Sequence, residues 1–222
     1  MPRVLVTGAG RGIGLEFARQ YAAAGWEVIA TAREPAGAEA LSGLGVRVEA
    51  LDMRDFAALA AFPERLGGER LDLFIANAGV SDAKWIRSGE DAEAWQEVHA
   101  VNAVAPTLLA ESLLPLVEAA DGRMAAISSK MGSIADSSGG YIGYRASKAA
   151  LNAAWRALAL GWSGRSVTLL LLHPGWVKTD MGGPQAPLPL KESVAGMRRV
   201  IAGFPRGASG AFVDYRGAPV PW

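Results

Sequence analysis

Val4-Leu5-Val6-Thr7-Gly8-Ala9-Gly10-Arg11-Gly12-Ile13-Gly14 decides the fold, because a short apolar run, a glycine-rich turn and the start of a helix follow one another without a break. Beyond the turn, Ile13, Phe17 and Tyr21 recur every four residues, the spacing of one helix face. Glycines in such a turn let backbone N–H groups approach a ligand closely, and the helix N-terminus adds positive potential. The segment is therefore suited to a phosphate or pyrophosphate. The Gly-x-Gly-x-x-Gly template does not fit: counted from Gly8 its third glycine falls on Ile13, and from Gly10 on Leu15. The spacing is instead Gly8-x-x-x-Gly12-x-Gly14. A turn of this kind also occurs for packing reasons alone, and the remaining sequence has to distinguish the two uses.

Moving outward, short runs nearly continuous in apolar residues lie at 4–7, 27–31, 47–51, 71–76, 123–128 and 167–172, with a last one at Ala211–Asp214. Strands buried on both faces read this way, and a parallel sheet covered by helices is where they occur. Between them lie amphipathic stretches, such as Leu151, Trp155, Leu158 and Trp162 on one stripe. The pattern predicts an α/β fold: a Rossmann-like doubly wound parallel sheet of about seven strands, helices on both faces, in a single domain over 1–222. Ligands in such a sheet sit at the carboxyl ends of the strands. Residues 175–189 are rich in Gly and Pro and are expected to form a mobile segment before the last helix and strand.

Composition narrows the function. Lys plus Arg equals Asp plus Glu at 22 each, so no overall field draws the chain to nucleic acid or an anionic membrane. Cysteine is absent, which excludes disulfides, thiolate nucleophiles and cysteine metal sites, and His99 and His173 alone cannot make a histidine-rich one. The first residues lack the long apolar region of a signal peptide, and the 167–172 run is far short of a membrane span. A cytoplasmic protein with no membrane or nucleic-acid partner is expected.

A second constellation is Tyr144-Arg145-Ala146-Ser147-Lys148, where a four-residue step puts Tyr144 and Lys148 on one helix face. An ordinary phenol titrates near pH 10, and lowering it by about three units requires about 4 kcal/mol of differential stabilisation. A lysine ammonium beside it is the natural source, although any surface helix can carry such a pair.

The motifs together resemble the short-chain dehydrogenase/reductase family along essentially the whole chain, in that family's order: Thr7 to Gly14, Leu51-Asp52, Ala76-Asn77-Ala78-Gly79, Val101-Asn102-Ala103, Ile127-Ser128-Ser129, Tyr144 with Lys148, and His173-Pro174-Gly175-Trp176-Val177-Lys178-Thr179-Asp180. Within the family, Ser129-Lys130-Met131-Gly132-Ser133 and the stretch after His173 look most like the sniffer-like carbonyl reductases and the C-factor group. The resemblance implies a catalytic set of Asn102, Ser129, Tyr144 and Lys148. Tyr144 exchanges the proton, Ser129 bonds the substrate oxygen, Lys148 lowers the phenol and bonds the nicotinamide ribose, and Asn102 holds a water of a proton relay. It implies cofactor contacts at Thr7, Gly8, Arg11, Gly12, Ile13, Gly14, Arg33, Asp52, Met53, Asn77, Ala78, Gly79, Tyr144, Lys148, Pro174, Gly175, Val177 and Thr179, with Thr179 and the Val177 backbone on the carboxamide. No metal is implied. Ser129 and Tyr144 stand two residues further apart than the family's spacing, the extra length falling in Asp136-Ser137-Ser138-Gly139-Gly140; Ser128 and Ser133 stay as weaker candidates.

The second run ends Thr31-Ala32-Arg33-Glu34, offering a guanidinium where an NAD-preferring site places a carboxylate. NADP(H) is favoured over NAD(H), with Arg11 flanking the same 2′-phosphate and Glu34 as the counter-argument. The expected partner is a small carbonyl or alcohol substrate, and the resemblance implies a homodimer or homotetramer packed through helices near 95–116 and 144–162. The leading reading is carbonyl reduction. An NAD-dependent alcohol dehydrogenase and a cofactor-binding signalling or regulatory protein of the C-factor kind remain open. Asn77 and the two histidines are expected to be structural. Trp85, Met131, Tyr141 and Trp176 are placed near the cleft, where they would favour an apolar substrate or simply pack.

Overall fold

The computed structural model describes residues 1–35, 39–81 and 85–222. Its seven strands are β1 (Arg3–Val6), β2 (Glu27–Ala32), β3 (Arg47–Ala50), β4 (Leu73–Ala76), β5 (Arg123–Ile127), β6 (Thr168–His173) and β7 (Ala211–Asp214). They form one sheet in the order β3-β2-β1-β4-β5-β6-β7, every neighbouring pair parallel. The order reverses between β1 and β4, which opens a crevice above the carboxyl end of β1. The helices are α1 (Gly12–Ala23), α2 (Glu39–Ser42), α3 (Phe56–Arg65), α4 (Gly89–His99), α5 (Ala105–Glu118), α6 (Ile142–Gly161) and α7 (Leu190–Gly203).

Alternation along the strands divides the interior in two. Leu5, Ile29, Phe74, Met124, Leu169 and Leu171 face α3, α5 and α6, meeting Leu59, Phe62, Leu109, Leu113, Leu151 and Trp155. Val4, Val6, Val28, Ile75, Leu170 and Leu172 face α1 and α7, meeting Phe17, Tyr21, Val194, Met197 and Ile201. A strand buried on both sides has no polar alternation to show, which is why the runs read as continuous apolar sequence. Strand limits shift by one or two residues where backbone groups bond elsewhere. Leu71 N–H donates to Leu116 and Asp72 N–H to Arg3, so β4 begins at Leu73, while His173 pairs with Asp214 and extends β6.

Between α4 and α5 the helix passes through a π turn, Ala100–Val104. Pro106 has no N–H to give to the preceding turn, and the wider turn absorbs that gap. Within Gly89–Glu118 an 18-residue window reaches a mean hydropathy of 1.5, so by length and composition this helix is long and apolar enough to cross a membrane. Its inward face is spent in this fold on Val101, Leu109, Leu113 and Val117 against the sheet.

Candidate active site

The glycine turn is built from the strands beneath it. Ala9 N–H bonds Thr31 O at 2.8 Å, and Thr7 Oγ1 accepts from the N–H groups of Asn77 and Ala78 at 3.0 and 3.2 Å. Asn77 Nδ2 donates to Thr7 O and Gly8 O at 2.9 and 3.2 Å, so Asn77 ties β4 to the turn as expected. Three glycines serve three needs. Gly8 has φ +64°, and a Cβ there would stand 2.8 Å from Ala78 Cα. Gly12 is needed for its φ of +55°, since a Cβ there would meet only Thr179 Cγ2 in ordinary contact at 3.8 Å. A Cβ on Gly14 would fall 2.4 Å from Gly8 O and 2.5 Å from Asn77 Nδ2. Helix α1 then starts with no capping side chain and no acid in its first turn, leaving its N-terminal amides for a ligand.

A cleft of about 690 Å³ runs from this turn across the carboxyl ends of the strands. Arg11, Gly12, Ile13, Arg33, Asp52, Met53, Ala78 and Gly79 line it together with Ser129, Tyr144, Lys148, Pro174, Gly175, Val177 and Thr179. Of the expected site residues only Thr7, Gly14 and Asn102 stand behind the wall, as supports. A long ligand with an anionic middle fits this arrangement: bare amides at α1, three guanidiniums in the wall (Arg11, Arg33 and Arg54), and no side chain filling the glycine turn.

Ser129 begins a short 3-10 turn, Lys130–Gly132, its Oγ accepting from Met131 N–H at 3.1 Å, and is hydrogen-bonded to Tyr144. The longer spacing therefore does not separate the two. Ser128 donates to Asn152 Oδ1 at 2.6 Å, and Ser133 is engaged with Trp222 O and Asp136 N–H, so neither alternative offers its hydroxyl as Ser129 does. Gly132 lets this turn lie on Lys148, since a Cβ there would be 2.8 Å from the lysine backbone.

Lys148 is buried, donates to Ile127 O at 2.9 Å and has its pKa lowered by desolvation to about 8. Burial pushes the Tyr144 phenol above its ordinary value, with the Ser129 bond pulling the other way. The expected lowering by Lys148 is thus not the governing effect in the protein alone: its ammonium lies 5.8 Å from the ring centre. Asn102, in the π turn, accepts from Val80 N–H and donates to Val80 O, both at 2.8 Å, and to Ser147 Oγ at 3.0 Å. Ser147 in turn donates to Tyr144 O at 2.8 Å. The asparagine side chain is a strut between β4's loop and α6. His173, pushed down to about 4 by burial, accepts from Lys130 N–H through Nδ1 and steadies the Ser129 turn.

The extra residues before Tyr144 are held by Arg145. Its guanidinium donates to Gly140 O at 2.9 Å, Ser138 Oγ at 2.8 Å and Met131 O at 3.4 Å. Gly139, Gly140 and Tyr141 all have positive φ, and Tyr141, at φ 51° and ψ 48°, is a left-handed tyrosine costing about 1–3 kcal/mol. The 175–189 segment, expected to be mobile, is internally bonded: Val177 bridges Leu188, Trp176 Nε1 donates to Gly182 O at 2.8 Å, and Gly182 N–H donates to Thr179 Oγ1 at 3.1 Å.

Sequence reasoning missed Arg54 and Glu97 in the wall and the Arg11–Asp180 ion pair, 2.7 Å, between the glycine turn and this segment. Arg54 bonds Asp52 at 2.6 Å and, with Arg33, holds that carboxyl below its usual range. The only signal was its position directly after Met53. Arg33 lines the cleft, whereas Glu34 is exposed and outside the wall described. Met131, Tyr141 and Trp176 line it too; Trp85 does not.

A parallel dinucleotide-type crevice with a serine, tyrosine and lysine at its floor defines an oxidoreductase built for nicotinamide chemistry. Residues 2–187 match the short chain dehydrogenase family model, and the chain belongs to that family. It is 42% identical to the C-signal protein of Myxococcus xanthus over 74% of this chain and all of that one. Among solved structures it is similar to the carbonyl reductase Sniffer of D. melanogaster, with 29% identity, TM-score 0.91 and both chains fully covered. The NADPH-bound carbonyl reductase from chicken fatty liver is similar at 35% identity and TM-score 0.90, over 100% of this chain and 99% of that one.

Proposed function

We propose that the protein is an NADP(H)-dependent reductase of small aldehydes or ketones, with Tyr144 as general acid. The observation that carries the reading is the Ser129–Tyr144 hydrogen bond beside buried Lys148, in the same cleft as the bare N-terminus of α1 and Arg33. Arg33 and Arg11 would meet a 2′-phosphate, the α1 amides the pyrophosphate, and Val177 with Thr179 the carboxamide. Asp52 and Met53 would border the adenine. NADPH bound in the similar chicken carbonyl reductase supports the same choice. When bound, the dihydronicotinamide supplies the hydride.

The chain's residues do the rest. Ser129 fixes the substrate oxygen, and the Tyr144 phenol gives that oxygen its proton as the carbon is reduced, leaving a phenolate that is reprotonated from water. A phenol raised by burial is fully protonated at neutral pH, the form that reduction needs. Lys148, cationic below about 8, stabilises the phenolate that forms. The Asn102 side chain is committed to Val80 and Ser147. A relay water at this turn would be held by its main-chain carbonyl, which Pro106 cannot bond in α-helical fashion.

The likeness to C-signal favours a second reading, cofactor binding in a signalling role. A panel of aldehydes and ketones followed by NADPH absorbance separates the two. Turnover of any panel member, abolished in Tyr144→Phe, is expected; tight NADPH binding with no turnover across the panel would replace the first reading with the second.

A further inference from the structure

Around the Ser129–Tyr144 pair the cleft wall is apolar: Met131, Tyr141, Trp176 and Met181. Two of these carry features that packing does not require. Tyr141 sits in the left-handed region where glycine would be relaxed, and makes no side-chain cap to α6. What the strained position retains is its ring, 41% exposed at the cleft. Arg145 enforces the arrangement, because its bonds to Gly140, Ser138 and Met131 tie the loop before Tyr141 to the turn after Ser129. Trp176 is 57% exposed, yet its N–H is bonded within its own loop, so the surface it presents is the apolar ring. Nearby charges have counter-ions: Lys130 is bridged to Asp136 at 2.7 Å and Asp180 to Arg11.

We propose that Tyr141 and Trp176 together bind an uncharged, planar aromatic substituent on the substrate carbonyl, and that Arg145 is the positioning residue that keeps Tyr141 in the cleft wall. This rests on the carbonyl-reductase reading of Ser129, Tyr144 and Lys148. Flat apolar rings gain from stacking or edge contacts that a puckered ring of equal carbon count does not reproduce. An anionic substituent would need a free cation beside it, but Lys130 and Arg11 are paired with Asp136 and Asp180, and the Lys148 ammonium is buried and bonded to Ile127 O.

The test uses NADPH-loaded protein and two amides that cannot be reduced, benzamide and cyclohexanecarboxamide, titrated by calorimetry. Benzamide is expected to bind about 10-fold more tightly, a difference that Tyr141→Gly and Trp176→Ala each reduce to within about 3-fold. Tyr141→Gly relieves the backbone, so it keeps or gains thermal stability and keeps its NADPH affinity while losing the discrimination, a split that a merely structural tyrosine would not give. Arg145→Gln should weaken benzamide as Tyr141→Gly does, leave NADPH binding unchanged and add nothing in the double variant. Equal affinity for the two amides, or discrimination indifferent to both aromatic substitutions, overturns the substrate class. Undiminished benzamide affinity in Arg145→Gln overturns its positioning role. Benzaldehyde reduction is measured alongside: its absence with amide discrimination intact counts against the reductase reading alone.

Discussion

Tyr144 and Lys148 share a helix face and a buried floor, but they do different work, and substitutions should separate them. Tyr144→Phe removes the proton and leaves the packing, so kcat for carbonyl reduction is expected to fall by about 10² to 10⁴-fold with cofactor affinity unchanged in a binding titration. The lysine sets the pH response. Burial has lowered its pKa to about 8, so the cation is present below that value and lost above it. The reduction rate should hold from neutral pH to about 8 and decline beyond, and the inflection should vanish from the rate profile of Lys148→Met, whose cofactor affinity also drops. Arg33 acts at the other end of the cleft. A charge-assisted contact is worth about 1.5–3 kcal/mol, so Arg33→Ala should weaken NADPH by about 10 to 150-fold and leave NADH nearly unchanged. Equal losses for the two cofactors would remove the 2′-phosphate assignment. Most of these residues were legible because their chemistry depends on short spacings, as Tyr144 to Lys148 does. Arg145 was not, because its three acceptors lie in a loop whose path no spacing encodes.

At the level of elements, the strand-turn-helix from β1 to α1 joins fold and site, and its glycines are not interchangeable. A methyl on Gly14 would collide with Gly8 O and Asn77 Nδ2, whereas one on Gly12 meets only Thr179 Cγ2 at 3.8 Å and suffers from its φ alone. Gly14→Ala should therefore cost about 1–3 kcal/mol in denaturant unfolding, by forcing the turn off Asn77, and more than Gly12→Ala does. The reverse order would show that backbone conformation, not packing against β4, limits this turn. The inner strands could be anticipated because residues buried on both faces leave continuous apolar runs, whereas the edge strand β3, Arg47–Ala50, alternates polar and apolar residues and has no fully buried position. The π turn could not be anticipated, since its cause is a missing N–H at Pro106 whose effect falls on the turn before it. For residues 175–189 the internal bonding was not legible for a related reason: glycine and proline content announces irregular backbone, not whether that backbone is bonded to itself, as it is at Trp176 and Thr179.

For the whole molecule, the two interior layers leave one helical surface apolar. Between α5 and α6 lies a groove of about 450 Å³ lined by His99, Ala103, Val104, Thr107, Leu108 and Glu111 with Ala150 and Ala154, and Val104 is 46% exposed at its edge. Trp95 on α4 is exposed nearby in sequence. We propose that a second copy of the chain covers this surface, as the family resemblance implies for these helices. Small residues such as Ala103, Ala150 and Ala154 allow helices to approach closely, and two copies related by a two-fold axis would bury the same patch on each. A stable pair needs about 800 Å² on each partner, which several turns of α5 and α6 can provide. Val104→Glu would place a charge in that contact while leaving both cores untouched. Light scattering coupled to size exclusion is expected to give a dimer or tetramer for the parent chain and a smaller species for Val104→Glu, with the far-ultraviolet dichroism of the two superimposable. A parent chain that elutes as a monomer, or a Val104→Glu variant of unchanged mass, would move the contact off this face.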